Sequence, residues 1–163
     1  MAVIVITGTP GVGKSTLANK LAKLLKWRRI DLHHYYDQLS SGYDRSGKCY
    51  IIDVDKLKKL VQEKAKKGNI ILDSHVAHLL PKEMIDVCIV ITCFDLHKLQ
   101  ERLEKRGYSK KKVRENLDAE IFQICLNEAK EQGHKVVEVE SGRIDIKHLV
   151  QKLKKKMVDL LPL

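Results

Sequence analysis

The run Gly8-Thr9-Pro10-Gly11-Val12-Gly13-Lys14-Ser15-Thr16 completes the pattern G-x-x-x-x-G-K-S/T, with Gly8 and Gly13 at its ends. A β-branched run, Val3-Ile4-Val5-Ile6, leads into it, and Lys14–Lys26 leaves it with helical spacing of its leucines. Strand, glycine loop and helix in that order are the context that separates a phosphate-binding loop from a chance cluster of glycines. Glycines allow the backbone to curl with its N–H groups inward, toward phosphate oxygens. A helix beginning at Lys14 adds the positive end of its dipole. In such a loop Lys14 reaches the β- and γ-phosphates and the Ser15 hydroxyl is offered to Mg²⁺, so the expected ligand is a nucleoside triphosphate.

Outward from the loop, further strand-like runs occur at Ile70–Asp73, Val87–Thr92 and Val136–Val139, with a weaker one at Trp27–Asp31. Between them apolar residues recur at helical intervals: Leu17, Leu21, Leu24 and Leu25; Leu57, Leu60, Val61 and Ala65; Leu96, Leu99 and Leu103. A fourth helix is expected through Val113, Leu117, Ile121, Ile124 and Cys125, and a last one through Ile146, Leu149, Val150, Leu153 and Met157. Gly68 and Gly133 stop two of these helices just before a strand. Strands alternating with helices predict a parallel sheet covered on both faces, with ligands at the carboxyl ends of the strands. Gly42–Lys48 reads as a mobile loop inserted in that frame.

The chain has 163 residues, enough for one domain with a sizeable core, and 44% of them are hydrophobic, which excludes wholesale disorder. Apolar runs such as Val87–Ile91 are far shorter than the roughly 20 residues that cross a bilayer. The N-terminal strand begins at once, which leaves no room for a signal peptide. Cys49, Cys88, Cys93 and Cys125 lack metal-type spacing, and Cys88 and Cys93 flank an apolar strand; free thiols of this kind suit a cytoplasmic setting. Net charge is +10, much of it in lysine runs at 58–59, 64–67, 110–112 and 152–156. Solvated helix faces account for single runs, whereas the total favours polyanionic partners, either free nucleotide or RNA. Aromatic residues are only 5% and show no stacking-platform pattern, which argues against sequence-specific RNA reading.

Several side chains beyond the loop carry candidate chemistry. Asp73 closes the run Ile70-Ile71-Leu72; in a phosphate-loop protein an acid there holds Mg²⁺ directly or through water, while elsewhere it would be a helix or turn cap. His75 and His78 follow at once, without a third ligand at a spacing suited to a transition metal. His75 is placed to orient an attacking water or contact the γ-phosphate; a surface histidine is the plain alternative. Arg102 and Arg106 are four apart, so both guanidinium groups share one helix face before Gly107. They are suited to charge developing on a transferring phosphoryl group, or else to pairing with nearby glutamates. Gly107-Tyr108 and the three lysines after Ser109 look like a short hinged lid.

Four blocks together resemble the adenylate kinase isoenzyme 6 family: Thr7–Thr16, Ile71–His75 with its acid-any-histidine pattern, Leu99–Glu104 leading into Arg106–Asn116, and Asp118–Gln123. The Arg106–Asn116 block is the specific part, since many nucleotide-binding proteins share the phosphate loop. The resemblance implies a P-loop NTPase fold, a three-layer α/β/α sandwich with a five-stranded parallel sheet, nucleoside monophosphate kinase-like, in one domain spanning 1–163. It implies a monophosphate-binding segment at 31–52 and a short lid at 105–115. It further implies transfer of the terminal phosphate of ATP to a nucleoside monophosphate such as AMP, slow ATP hydrolysis, the ribosomal protein uS11 as partner, and a role in late processing of small-subunit rRNA. By position Gly11, Gly13, Lys14, Ser15 and Thr16 would bind ATP, Arg106 would be the lid arginine, and Arg143 would lie near the adenine. Relatives commonly carry an arginine after the second strand, where this chain has Asp31-Leu32-His33-His34-Tyr35, and another at the position of Thr92. Both would contact the monophosphate, so Arg28, Arg29 or Arg45 would have to substitute. An ATP-driven assembly factor with incidental kinase turnover, or a kinase of another small molecule, are the alternatives.

Overall fold

The computed structural model describes residues 1–46 and 49–158, the Cys49 side chain excepted. At its centre is β1 (Val3–Thr7), every residue of which is buried. Such a strand needs apolar side chains on both faces, which the valines and isoleucines supply. Together with β2 (Arg28–Asp31), β5 (Ile70–Asp73), β6 (Val87–Thr92) and β7 (Val136–Glu140) it forms a five-stranded sheet in the order β2-β5-β1-β6-β7. Every pairing in it is parallel.

Alternate residues along each strand feed two separate cores. Ile4, Ile6, Ile71, Ile89 and Ile91 meet α1 (Lys14–Leu25), α4 (Leu96–Lys105) and α7 (Ile146–Lys156) through Leu17, Leu21, Leu99, Leu103, Leu149 and Leu153. Val3, Val5, Ile70, Leu72 and Val90 face α3 (Val54–Ala65) and α6 (Ile124–Glu131) through Leu57, Val61, Leu126 and Ala129. Burying each of these large aliphatic side chains stabilises the fold by roughly 1.5–3 kcal/mol, so the helices are held by their apolar stripes rather than by propensity alone.

The register brings strand ends level, pairing Ile6 with Asp73, Asp31 with Asp73, and Thr92 with Glu140. β1 sits where the chain order reverses, with β5 on one side and β6 on the other. That switch point opens a crevice at the carboxyl edge, and the glycine loop fills it.

Two expectations need correction. The single helix expected through Val113–Cys125 is two helices, α5 (Lys110–Ile121) and α6, separated by Phe122 and by Gln123 at φ +50°. A left-handed residue breaks the helical path while both helices keep a buried face, so apolar periodicity alone reads straight through it. Gly42–Asp44 of the expected 42–48 loop belong to a hairpin: β3 (Ser40–Asp44) pairs antiparallel with β4 (Cys49–Ile52), after a short 3₁₀ turn (Leu32–Tyr35) and α2 (Tyr36–Leu39). Gly47 and Lys48 lie outside the described residues. Serine, glycine and aspartate gave this arm a loop-like composition, and its pairing depends on the partner strand.

Candidate active site

The glycine loop is held by contacts that its sequence demands. Gly8 has φ +149°, and a Cβ there would come within 2.6 Å of the Ile91 carbonyl oxygen. Gly11 has φ +91°, and its α-hydrogen faces the Leu99 and Leu103 side chains of α4. Loop and helix therefore approach more closely than any side chain at Gly11 permits without displacement. Lys14 is half-buried and donates to the carbonyls of Gly8 (2.8 Å) and Thr9 (3.0 Å). Burial pushes its ammonium down to about 8, and Cys125, Arg106, Asp73 and Glu120 lie close enough to act on it electrostatically. Ser15 and Thr16 are exposed in the first turn of α1.

Beside the loop opens a cavity of about 780 Å³, lined on one side by Gly11, Gly13 and Thr16 and on the other by Ser141, Gly142 and Ile144. Arg102 and Arg106 both line it. Their environments differ. Arg102 donates to the Gly11 carbonyl (3.2 Å) and the Ser141 hydroxyl (3.1 Å), and that hydroxyl donates to the Val12 carbonyl (2.8 Å). Arg102 thus braces the loop from the side of β7. Arg106 is exposed at the end of α4, where Gly107 turns the chain at φ +76° toward Ser109, the cap of α5. Arg143 is also exposed, with Nε 3.9 Å from Glu140, and its neighbours Gly142 and Ile144, rather than Arg143 itself, face the cavity.

Asp73 and His75 lie within electrostatic reach of Lys14. Asp73 is buried at the end of β5, and its Oδ2 accepts from Arg29 Nε at 2.5 Å. Arg29 also donates to Asn19 (3.1 Å) and Asp31 (3.2 Å), which uses all three of its nitrogens. Arg28 donates to the Lys64 carbonyl, and Arg45 is exposed on the hairpin. Thr92, in the second position where an arginine was expected, is buried with its hydroxyl directed to the Val139 carbonyl. His75 is half-buried; burial first, and the Lys14 charge second, push its imidazole down to about 4. Its Nδ1 is 3.4 Å from the Tyr36 hydroxyl, which also lies 3.3 Å from Ser74 Oγ. His78 points away from this group, into the fold, between Thr7 Oγ1 (2.8 Å) and Glu128 Oε2 (2.6 Å).

A divalent cation fits the donor set without being enclosed by it. The exposed Ser15 hydroxyl and the strand-end carboxylate of Asp73 are the hard oxygen donors that Mg²⁺ prefers. One Asp73 oxygen is already engaged by Arg29, which suits contact through water better than direct ligation. Among the described residues no group of three His, Cys, Asp or Glu side chains could hold a metal ion.

Sequence reasoning did not single out Glu120, Ser141, Tyr36 or the Arg29 pairing. Each acts through partners distant in the chain, so no local spacing announces it. Aromatic residues, few overall, also prove to be gathered: Tyr36 lies 4.7 Å from the His33 ring and 6.1 Å from Tyr50, which packs edge-on against Tyr43 at 5.3 Å. Tyr43 and Tyr50 are exposed, so the arm presents a stacking surface that the primary structure did not signal.

A phosphate loop at the switch point of a parallel five-stranded sheet, with helices on both faces, defines a P-loop protein of the small-kinase architecture. Shikimate kinase from Acinetobacter baumannii superposes over 99% of this chain and 96% of its own with a TM-score of 0.64 at 15% identity. Bacillus subtilis YorR, solved with phosphorylated GDP, gives a TM-score of 0.58 at 19% identity over 98% of this chain and 96% of its own; both show the shared fold. A family model described as an AAA domain matches residues 4–123. The adenylate kinase isoenzyme 6 homolog of Schizosaccharomyces pombe is 42% identical over 139 residues, covering 84% of this chain and 79% of that protein. The Saccharomyces cerevisiae adenylate kinase isoenzyme 6 homolog FAP7 is 40% identical over 144 residues, 85% of this chain and 72% of that protein. The chain belongs to the adenylate kinase isoenzyme 6 family.

Proposed function

We propose that this protein is a nucleoside monophosphate kinase of the adenylate kinase type that passes the terminal phosphate of ATP to AMP, with ATP hydrolysis as a second activity. The observation that carries this reading is the position of Lys14. Gly13 and Thr16, which flank it in the chain, line a cavity of about 780 Å³, while the Lys14 charge itself acts on His75, whose Nδ1 lies 3.4 Å from the Tyr36 hydroxyl. One polyphosphate lying along the loop would then place its base in the cavity and its terminal phosphate toward an acceptor held at the arm.

In this mechanism the amides of Gly11, Gly13, Ser15 and Thr16 receive the phosphate oxygens, and Lys14 exchanges its loop carbonyls for the β- and γ-phosphates. Mg²⁺, held by Ser15 and by Asp73 through water, would neutralise phosphate charge. Arg106 swings with the lid at 105–115 over the transferring group, while Arg102 holds the loop rigid beneath it. Arg143 flanks the mouth of the base cavity beside Gly142. The acceptor segment is 31–52, where Tyr36 and Tyr50 offer ring faces to the acceptor base. Lys112, resting 4.4 Å over the Tyr108 ring and close enough to His75 to act on it electrostatically, is the lid cation on the acceptor side. The acceptor phosphate attacks in line, and alignment and charge supply the acceleration. His75, neutral at pH 7, contributes a hydrogen bond to the γ-phosphate or an attacking water rather than a charge.

A second reading is favoured by Arg29 being held by Asp73, Asn19 and Asp31 and by Thr92 turning to β7. With no arginine at either position where relatives carry one, and the substitute Arg29 engaged elsewhere, ATP binding and hydrolysis would switch the grip on uS11 and nascent small-subunit rRNA in the cytoplasm. One assay separates the two. Formation of two ADP per ATP consumed, only when AMP is added, supports the kinase. AMP-independent hydrolysis that uS11 stimulates supports the switch, and the absence of both activities rejects the reading.

A further inference from the structure

Glu120 is a carboxylate with 8% of its surface exposed, at the end of the helix that starts at the lid. Burying a charged carboxylate is costly unless it is fully hydrogen-bonded, and an aliphatic side chain would fill the same space without that cost. Its two oxygens have separate tasks. Oε2 accepts from the Thr9 hydroxyl at 2.7 Å, and Oε1 accepts from the Cys93 backbone N–H at 2.7 Å. Thr9 is the second residue of the glycine loop, and its carbonyl is one of the two that hold Lys14. Cys93 follows β6, the strand whose Ile91 carbonyl closes over Gly8. A single side chain from α5 therefore joins the loop to the strand beside it. The neighbouring helix repeats the device on the other flank of Gly8: Glu128 of α6 holds His78, and His78 holds the Thr7 hydroxyl.

We infer that Glu120 is a positioning residue for triphosphate binding, fixing the first turn of the glycine loop through Thr9 from the helix that also carries the lid. This rests on the loop taking a nucleoside triphosphate, as proposed above, and does not depend on the acceptor. Glu120 itself touches no phosphate; it sets the carbonyl and amide directions of residues that do. A glutamine can keep both contacts, its oxygen accepting from Cys93 and its amide donating to Thr9, whereas alanine keeps neither.

The test is calorimetric titration of ATP with Mg²⁺ into the wild type, Glu120→Gln, Glu120→Ala, Thr9→Val and the Thr9→Val/Glu120→Ala pair, each checked by thermal melting. Expected are affinity within threefold of wild type for Glu120→Gln, a loss of tenfold or more for Glu120→Ala, and about fivefold for Thr9→Val. The double variant should be no weaker than Glu120→Ala, because both changes remove one contact. In turnover with AMP, KM for ATP should rise while KM for AMP stays within twofold. Should Glu120→Ala fail to fold, Thr9→Val, which preserves side-chain volume, still decides the matter. Wild-type affinity in folded Thr9→Val or Glu120→Ala, or losses that simply add, overturns the inference. A wild type that binds ATP but leaves AMP unchanged removes the kinase reading only, since affinity for ATP still reports on Glu120.

Discussion

A few residues at the candidate site have their ordinary properties altered by where they sit, and His75 shows it most clearly. Its imidazole is pushed from an ordinary value of 6.5 to about 4, by burial first and by the Lys14 charge second. The unfolded chain takes up a proton near pH 6.5 that the folded protein accepts only near pH 4. Above pH 6.5 this group therefore leaves stability unchanged, and between 6.5 and 4 it destabilises the fold progressively as pH falls. Thermal melts across that window should show the wild type losing stability faster than His75→Asn. Parallel curves would mean that His75 titrates as an exposed histidine does. His78 is also lowered by burial but is present in both proteins, so the difference isolates His75. At this scale the candidates Gly8 to Thr16, Asp73, His75, Arg102 and Arg106 were legible in the primary structure because each stands in a local run or at a local spacing. Glu120, Arg29 and Tyr36 were not, because their partners lie 111, 44 and 39 residues away.

Among the elements, α4 and the α5–α6 junction bear most on the site. Leu99 and Leu103 of α4 are fully buried beneath Gly11, so this helix sets both the height of the loop and the reach of Arg102. Leu99→Ala is expected to cost about 2–5 kcal/mol in chemical denaturation, in line with other buried leucines. A cost below 1 kcal/mol would show that the loop does not lean on this helix. At the junction, Gln123 occupies a left-handed conformation at φ +50° without a side-chain cap bond for α6. Glycine adopts that conformation without steric penalty, so Gln123→Gly should raise unfolding stability by up to about 1 kcal/mol, less the entropy glycine adds to the unfolded chain. Clear destabilisation would instead mean that the glutamine side chain has a role of its own. Strand and helix positions were legible from apolar periodicity, since buried strands and amphipathic helices must carry it. The α5–α6 break and the β3–β4 arm were not. The first depends on one residue's backbone angle, and the second is paired by residues of loop-like composition.

Across the molecule, five parallel strands bring their carboxyl ends to one edge, and residues from 9 to 146 converge there around a single loop. Fold class followed from the alternation of strands and helices, since few topologies bury such strands on both faces. Which side chains gather near Tyr36 and His75 followed only from the three-dimensional arrangement, because it depends on how the hairpin arm and two strand ends meet. Every role assigned here assumes that the loop receives a polyphosphate. Calorimetric titration of ATP with Mg²⁺ at pH 7, where Lys14 remains protonated below its value of about 8, tests that assumption most directly. The wild type should bind one nucleotide saturably, and Lys14→Ala should bind at least about tenfold more weakly at an unchanged melting temperature. No binding by well-folded wild-type protein, or equal binding by the two, would contradict the account.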